Sequence, residues 1–283
     1  MIQTEYEMDN PNAFRHSKDL FKMPQEAGLA IMRNGKMSLC DTYAGENRLE
    51  DYSNLRTYMG HYFFNKKDLG KYKTTQRYPL FFNPEKKVNL KDVFEVYRFR
   101  YEGTEYCPET SGRNDIRLIG TEAQFNVHAI QIHHDLQPEV GSVVWIAIAN
   151  SEHSIFLPYS SLLTKTDPRL DVMDQMLKKI NSKDFLNDVE DKPILYSEDL
   201  AQVCFKRLCL IAEHDRDLYG KGVRDYWDKK EKKLVKEFPK VLKNASKLAD
   251  KSLDDAIDYM NDYSLKLTDE TIEEAKTIFN QLI

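Results

Sequence analysis

The fold is decided between residues 97 and 159. There the sequence reads Y-R-F-R-Y-E-G-T (97–104), then N-V-H-A-I-Q-I (126–132), then G-S-V-V-W-I-A-I-A-N-S-E-H-S-I-F-L-P-Y (141–159). The first piece ends a helix predicted over 89–101. Asn89 is its N-cap, Asp92 completes a capping box, and Leu90, Val93, Phe94, Tyr97 and Tyr101 recur on one face. Gly103 is its expected stop. Strands are predicted over 124–133, 142–149 and 154–158, with Asn150–His153 as a turn-sized link, so the last two form an antiparallel hairpin. The run S-V-V-W-I-A-I-A is apolar at both parities. A strand with one wet face would alternate, so this one is expected to be covered on both sides.

Outward from this hairpin the pattern changes. Residues 1–87 carry scattered aromatics, polar turns at Asn34-Gly35 and Asn83-Pro84, and short helices expected near 12–30 and 50–64. From Asp167-Pro168 the chain reads as helical: a proline-initiated helix bearing Leu170, Met173, Met176, Leu177 and Ile180, then a second with Ala201, Cys204, Phe205, Leu208, Ile211 and Ala212 in its stripe. A lysine-rich third region, 222–249, contains Pro239 and is expected to kink or restart there. Two shorter helices are expected after Ser252 and after Thr268. The fold class is therefore α+β, with a region 1–165 that holds the strands and a helical region 166–283.

Composition excludes several classes. The 283 residues are 41% hydrophobic and 31% charged, with a formal net charge of -5, enough for one sizeable core and without the basic surface that nucleic-acid binding needs. No stretch of about 18 apolar residues stands out as a membrane span, and Met1–Asn10 has neither a basic start nor an apolar run. Cys40, Cys107, Cys204 and Cys209 form no C-x-x-C pair, so a reduced, cytoplasmic setting is expected. The mixed-sign run W-D-K-K-E-K-K-L-V-K-E reads as a solvated helix face. A P-loop, a dinucleotide fingerprint and a serine elbow are absent.

The candidate chemistry lies in histidines and arginines. His128, His133, His134 and His153 fall close together, yet no H-E-x-x-H or one-face carboxylate pattern accompanies them. The expectation is no metal; a metal hydrolase built on His128, His134 and His153 is the competing reading. Arg98 and Arg100 sit where basic side chains cap helix carbonyls, and a guanidinium there is also suited to a bidentate grip on a substrate carboxylate.

Together these segments resemble the dipeptidase A and secernin family of N-terminal-nucleophile cysteine peptidases. The resemblance is carried by A-F-R-H-S-K-D-L-F-K-M-P-Q-E-A-G (13–28), S-L-C-D-T-Y (38–43), E-N-R-L-E-D-Y-S-N-L-R-T-Y-M-G-H-Y-F-F-N (46–65), L-K-D-V-F-E-V-Y-R-F-R-Y-E-G-T (90–104), R-L-I-G-T-E-A-Q-F-N-V-H-A-I-Q-I (117–132) and the hairpin 141–159. It implies part of an αββα sandwich with antiparallel strands, followed by the helical region. It also implies hydrolysis of short peptides, dipeptides above all, by a cysteine at the mature N-terminus whose own α-amino group is the base, without metal or cofactor. The sequence starts Met-Ile-Gln and its first segments resemble the middle of the family's sequence, so the nucleophile is expected to lie outside it. Cys40 precedes D-T-Y-A-G-E-N, which is not a strand sequence. The residues expected near substrate or oxyanion are Asn126, His128, Arg98 and Arg56. Trp145 fits the family's hairpin. Asn126 stands where an acidic residue is common, and Val127 where serine or cysteine is.

The expected partners are short peptides and, as a candidate, a separately encoded N-terminal segment. A homo-oligomer is compatible with the reading; nucleic acid and membrane are not expected. The alternative is a non-catalytic or split-gene remnant that acts as a scaffold or binding subunit.

Overall fold

A computed structural model of the chain describes residues 5–6, 17, 19–33, 35–44, 51–67, 74–75, 78, 82–171 and 199–283. The chain divides into two compact units: residues 1–87 with 101–118, and residues 88–100 with 119–283. Residues Met173, Met176, Leu177 and Ile180, expected on a helix face, lie outside the described residues.

In the first unit, β1 (Glu5–Tyr6), β2 (Met32–Arg33) and β3 (Lys36–Ser38) form a small antiparallel sheet in the order β1-β3-β2. Three helices accompany it: α1 (Asp19–Glu26), α2 (Leu39–Tyr43) and α3 (Asp51–Phe64). Ser38 caps α2, and its hydroxyl also donates to Asp41 at 2.8 Å. Cys40 therefore sits inside a short helix. The C-terminal part of this unit holds Tyr101, whose phenol donates to the Arg117 carbonyl at 2.7 Å, and the four-residue helix Pro108–Ser111.

The second unit contains the hairpin. Helix α4 (Leu90–Arg98) starts with the predicted capping box of Asn89 and Asp92. It ends earlier than predicted, at Arg98 rather than Tyr101. Phe99 turns extended, and its carbonyl accepts from Gly120 N–H at 2.9 Å. Gly120 allows this approach, because a Cβ there would lie 2.3 Å from the Arg98 carbonyl oxygen. Strands β4 (Asn126–Ile132), β5 (Ser142–Ile148) and β6 (Phe156–Ser160) pair antiparallel in that order. β6 starts two residues later than predicted because Asn150–Ser154 are committed to a buried polar turn.

The register sorts the side chains onto two faces. On one, Val127, Ala147 and Phe156 align, as do Ala129, Trp145 and Pro158. Phe94 of α4 stacks on Phe156 at 4.0 Å between centroids and leans on Trp145 at 5.6 Å. On the other face, His128 aligns with Ile146 and Leu157, and Ile130 with Val144 and Tyr159. Leu157 and Ile148 are buried there, but Ile130 and Ile132 are 66% and 59% exposed. Cover on this second face is partial and runs out toward β4.

The helices after the sheet are α6 (Ala201–His214), α7 (Lys221–Ala249) and α8 (Leu253–Leu282), counting Pro108–Ser111 as α5. A π turn, Arg216–Gly220, joins α6 to α7. Two expectations are corrected. α7 runs unbroken through Pro239. Phe238 and Leu242 on either side are buried against the core, Phe238 edge-on to Trp145 at 5.5 Å, and this packing holds the helix across the missing N–H. α8 is one helix of 30 residues rather than two. Thr268, read as a cap, is instead interior, with its hydroxyl 3.1 Å from that of Tyr159 on β6. Sheet and helices share one hydrophobic cluster reaching from Phe94 to Ala275. Among the described residues no helix is long and apolar enough to cross a membrane.

After the sheet, Asp167 caps the 3₁₀ turn Pro168–Leu170. It also accepts from Nε and Nη2 of Arg169 at 2.9 and 2.7 Å, while Arg169 reaches Asp269 and Glu273 of α8. The Arg169 hydrogen bonds hold the Asp167 carboxyl below its usual value, against a smaller opposing effect of burial. A depressed carboxylate contributes stability that is present above its ordinary value of 3.8 and lost as pH falls through the folded value.

Three outcomes follow from this packing. Gly120→Ala lowers stability by about 1–3 kcal/mol, because the new methyl meets backbone that cannot yield; chemical denaturation measures it. Asp167→Asn lowers Tm by roughly 2–4 °C at neutral pH, and the gap to the parent chain closes as pH drops below the carboxylate range. The purified chain binds a hydrophobic dye or self-associates through the β4 side of the sheet, and Ile130→Lys with Ile132→Lys removes that signal. A dye-silent parent monomer would contradict the partial cover described here.

Candidate functional site

The turn between β5 and β6 is where the polar groups of the second unit converge. Asn150, Ser151, His153 and Ser154 are all buried, although nothing in a hairpin tip requires it. Buried polar groups as a rule find partners; the side chains of Asn150 and Ser151 and the carbonyls of the turn find them on four segments, whereas the His153 ring and the Ser154 hydroxyl have no hydrogen bond among the described residues. Gln124 accepts from the Ser151 N–H at 2.9 Å, and its own amide donates to the carbonyls of Tyr97 and Ile119. From α7, Arg224 donates to the carbonyls of Ser151, Glu152 and Ser154 at 3.1, 2.7 and 2.9 Å. Burial and the nearby Arg98 lower the Arg224 pKa.

Arg98, expected to reach substrate, is turned inward. Its fork meets Glu231 of α7 with two parallel bonds of 2.9 and 2.6 Å, and its Nε donates to the Ser151 carbonyl at 2.9 Å. Both side chains are buried, and Glu231 also accepts from the Phe156 N–H at 3.0 Å. The guanidinium lies 5.1 Å from the Phe156 ring centroid. Arg100 is buried too and donates to the Gly120 carbonyl at 3.0 Å. A cavity of about 240 Å³ lies against Glu231, lined by Lys91, Phe94, Glu95, Asp228 and Lys232. Ligand pockets are roughly 300–1,000 Å³, so it is small for one.

On the far side of the turn, Glu152, His153 and Glu213 of α6 bring three donor atoms within 4.8 Å of one another. Arg216, on the π turn, donates to Glu213 at 2.5 Å and also to Glu152. Asn150 donates to Glu213 at 2.7 Å. The two carboxylates respond oppositely. Burial raises the Glu152 pKa. In Glu213 burial is outweighed by His153 and Arg216, which hold it at about 2. The sequence does not mark this set, because Glu152 lies 61 and 64 positions from Glu213 and Arg216 and the three form no motif.

The other expected site residues are more open. Asn126 and His128 are exposed on the β4 edge strand, two residues apart on the partly covered face. Arg56 is exposed on α3 of the first unit. The trio His128, His134 and His153 is not assembled: His128 and His134 are both exposed, on or just beyond β4, and His153 is buried in the turn. None of the buried thiols is activated. Burial raises Cys107 and Cys204 and pushes Cys209 up to about 12.

Glu231→Ala, which leaves the buried Arg98 with only the longer carboxylate contacts to Glu95 at 3.7 Å and Asp228 at 4.0 Å, lowers stability by about 3–5 kcal/mol in denaturant titrations, and the double change Glu231→Leu with Arg98→Met recovers much of it.

The sequence pattern of Peptidase family C69 matches residues 2–186. The chain is 24% identical over 170 residues to dipeptidase A of Lactobacillus helveticus, covering 57% of this chain and 35% of that protein. It is 25% identical over 154 residues to a probable dipeptidase of Salmonella dublin, covering 53% and 35%. A probable dipeptidase B of Lactococcus lactis is 25% identical over 129 residues, covering 43% and 27%. The matched part thus spans about a third of the length of these relatives. With the family pattern covering more than half of its residues, this chain belongs to peptidase family C69.

Proposed function

We propose that the chain supplies the substrate-facing sheet of a cysteine-type dipeptidase with an αββα sandwich. The observation that carries the reading is the family match over residues 2–186, which takes in the whole β4–β6 hairpin. The reaction is thiolate attack on the peptide carbonyl, loss of the amine, and hydrolysis of the thioester by water. The nucleophile is a cysteine at the N-terminus of the working enzyme, with its α-amino group as base. The buried Cys107, Cys204 and Cys209 are poor thiolates, and Cys40 lies within a helix. Asn126 and His128 contact substrate or the developing oxyanion, since their face of β4 is open. Arg98 acts from behind as a positioning residue that fixes the end of β5 through Ser151.

The scaffold or binding-subunit reading is favoured by one observation: the buried thiols all have raised pKa values. The two readings separate in one experiment. When the chain is joined to a segment beginning with cysteine, dipeptides are hydrolysed, and iodoacetamide abolishes the activity. In that enzyme Asn126→Ala and His128→Ala lower kcat/KM at least about tenfold without changing Tm. Dipeptide hydrolysis by the 283-residue chain alone, unaffected by iodoacetamide, would overturn both readings. An inactive joined protein that still binds dipeptides would leave only the binding subunit.

A further inference from the structure

We propose that Glu152, His153 and Glu213 form a binding site for one divalent transition-metal ion of the zinc type, which takes the place of the Arg216 guanidinium between the two carboxylates. The site is independent of the peptidase chemistry.

His153 carries the argument. It is 2% exposed, and neither ring nitrogen has a hydrogen bond. Its Nε2 lies 3.3 Å from a Glu213 oxygen but out of line for one. A buried polar group left without a hydrogen bond is destabilising, so an imidazole held beside Glu213 without one points to something that uses its lone pair. The π turn passes close to the ring: a Cβ on Gly220 would sit 3.2 Å from its Cε1, tighter than an ordinary contact. Glu152 has a second buried oxygen without a hydrogen bond, 3.9 Å from Arg100 Nε.

Arg216 satisfies only part of this set. A guanidinium has donors and no acceptor, so it serves the two carboxylates and leaves the imidazole lone pair unused. A metal ion accepts lone pairs from all three groups and balances both carboxylate charges. One imidazole nitrogen with two carboxylate oxygens suits zinc or a neighbouring first-row ion; calcium and magnesium favour oxygen alone. Arg216 is itself 24% exposed, so its side chain has solvent to move into.

The test is zinc binding to the full chain after chelator treatment, followed by calorimetry and elemental analysis, with cobalt absorbance as a second readout. One equivalent is expected, together with a rise in Tm. His153→Gln, close in size, weakens binding at least about a hundredfold. Arg216→Gln tightens it about tenfold, because the ion no longer competes with a cation. If the parent chain takes up no stoichiometric zinc, the site is the ion pair alone and the proposal fails. It fails equally if His153→Gln binds as tightly as the parent. Should His153→Gln not fold, Arg216→Gln decides: tighter zinc binding upholds the proposal, and unchanged or weaker binding overturns it.

Discussion

The second unit depends on one buried ion pair. Arg98 at the end of α4 and Glu231 in the middle of α7 are 133 positions apart, yet each is among the least exposed charged groups described. Isolated, either would be strongly disfavoured in the interior. Together they use the two parallel bonds of the fork, and their remaining valences reach the backbone of the hairpin: Arg98 to Ser151 and Glu231 to Phe156. A single pair thereby ties a helix before the sheet, a helix after it and the turn within it. Apolar burial supplies most of the free energy, but the pair favours this arrangement of the elements, since separating its members leaves buried charge less well compensated.

Elements governed by near neighbours were legible in the sequence. The capping box of α4 needs only Asn89 and Asp92, and the pairing of β5 with β6 needs only two apolar runs and a short polar link. The misreadings were all places where distant packing prevailed. Pro239 looks like a break until Phe238 is seen edge-on to Trp145. Thr268 looks like a cap until Tyr159 is found beside it. Gly103 was the visible stop for α4, but the helix ends where Gly120 lets another strand of backbone press on Arg98.

The site divides along the same line. Asn126 and His128 could be named from a strand pattern and a family resemblance, and the structure puts them on an open face. Arg98 stands out in the sequence as a guanidinium at a helix end, but nothing local marks its partner Glu231 among the many charges of a lysine-rich helix. The cluster of Glu152, His153, Glu213 and Arg216 is spread between a turn and a helix terminus. Single-sequence reasoning finds motifs with fixed spacing; it does not find donors that meet only after the sheet has packed on the helices.

The long last helix has a consequence for how the molecule is made. α8 packs along α6 and α7 and reaches β6 through Thr268, so the core begun near Phe94 is completed by residues as late as Ala275. At about 5–20 residues per second of synthesis, the hairpin waits many seconds after leaving the ribosome before its cover arrives. During that interval Trp145 and the ion-pair residues are in a half-built interior, open to chaperones and to other nascent chains. The order of synthesis thus leaves the hairpin with an incomplete cover until α8 has been made.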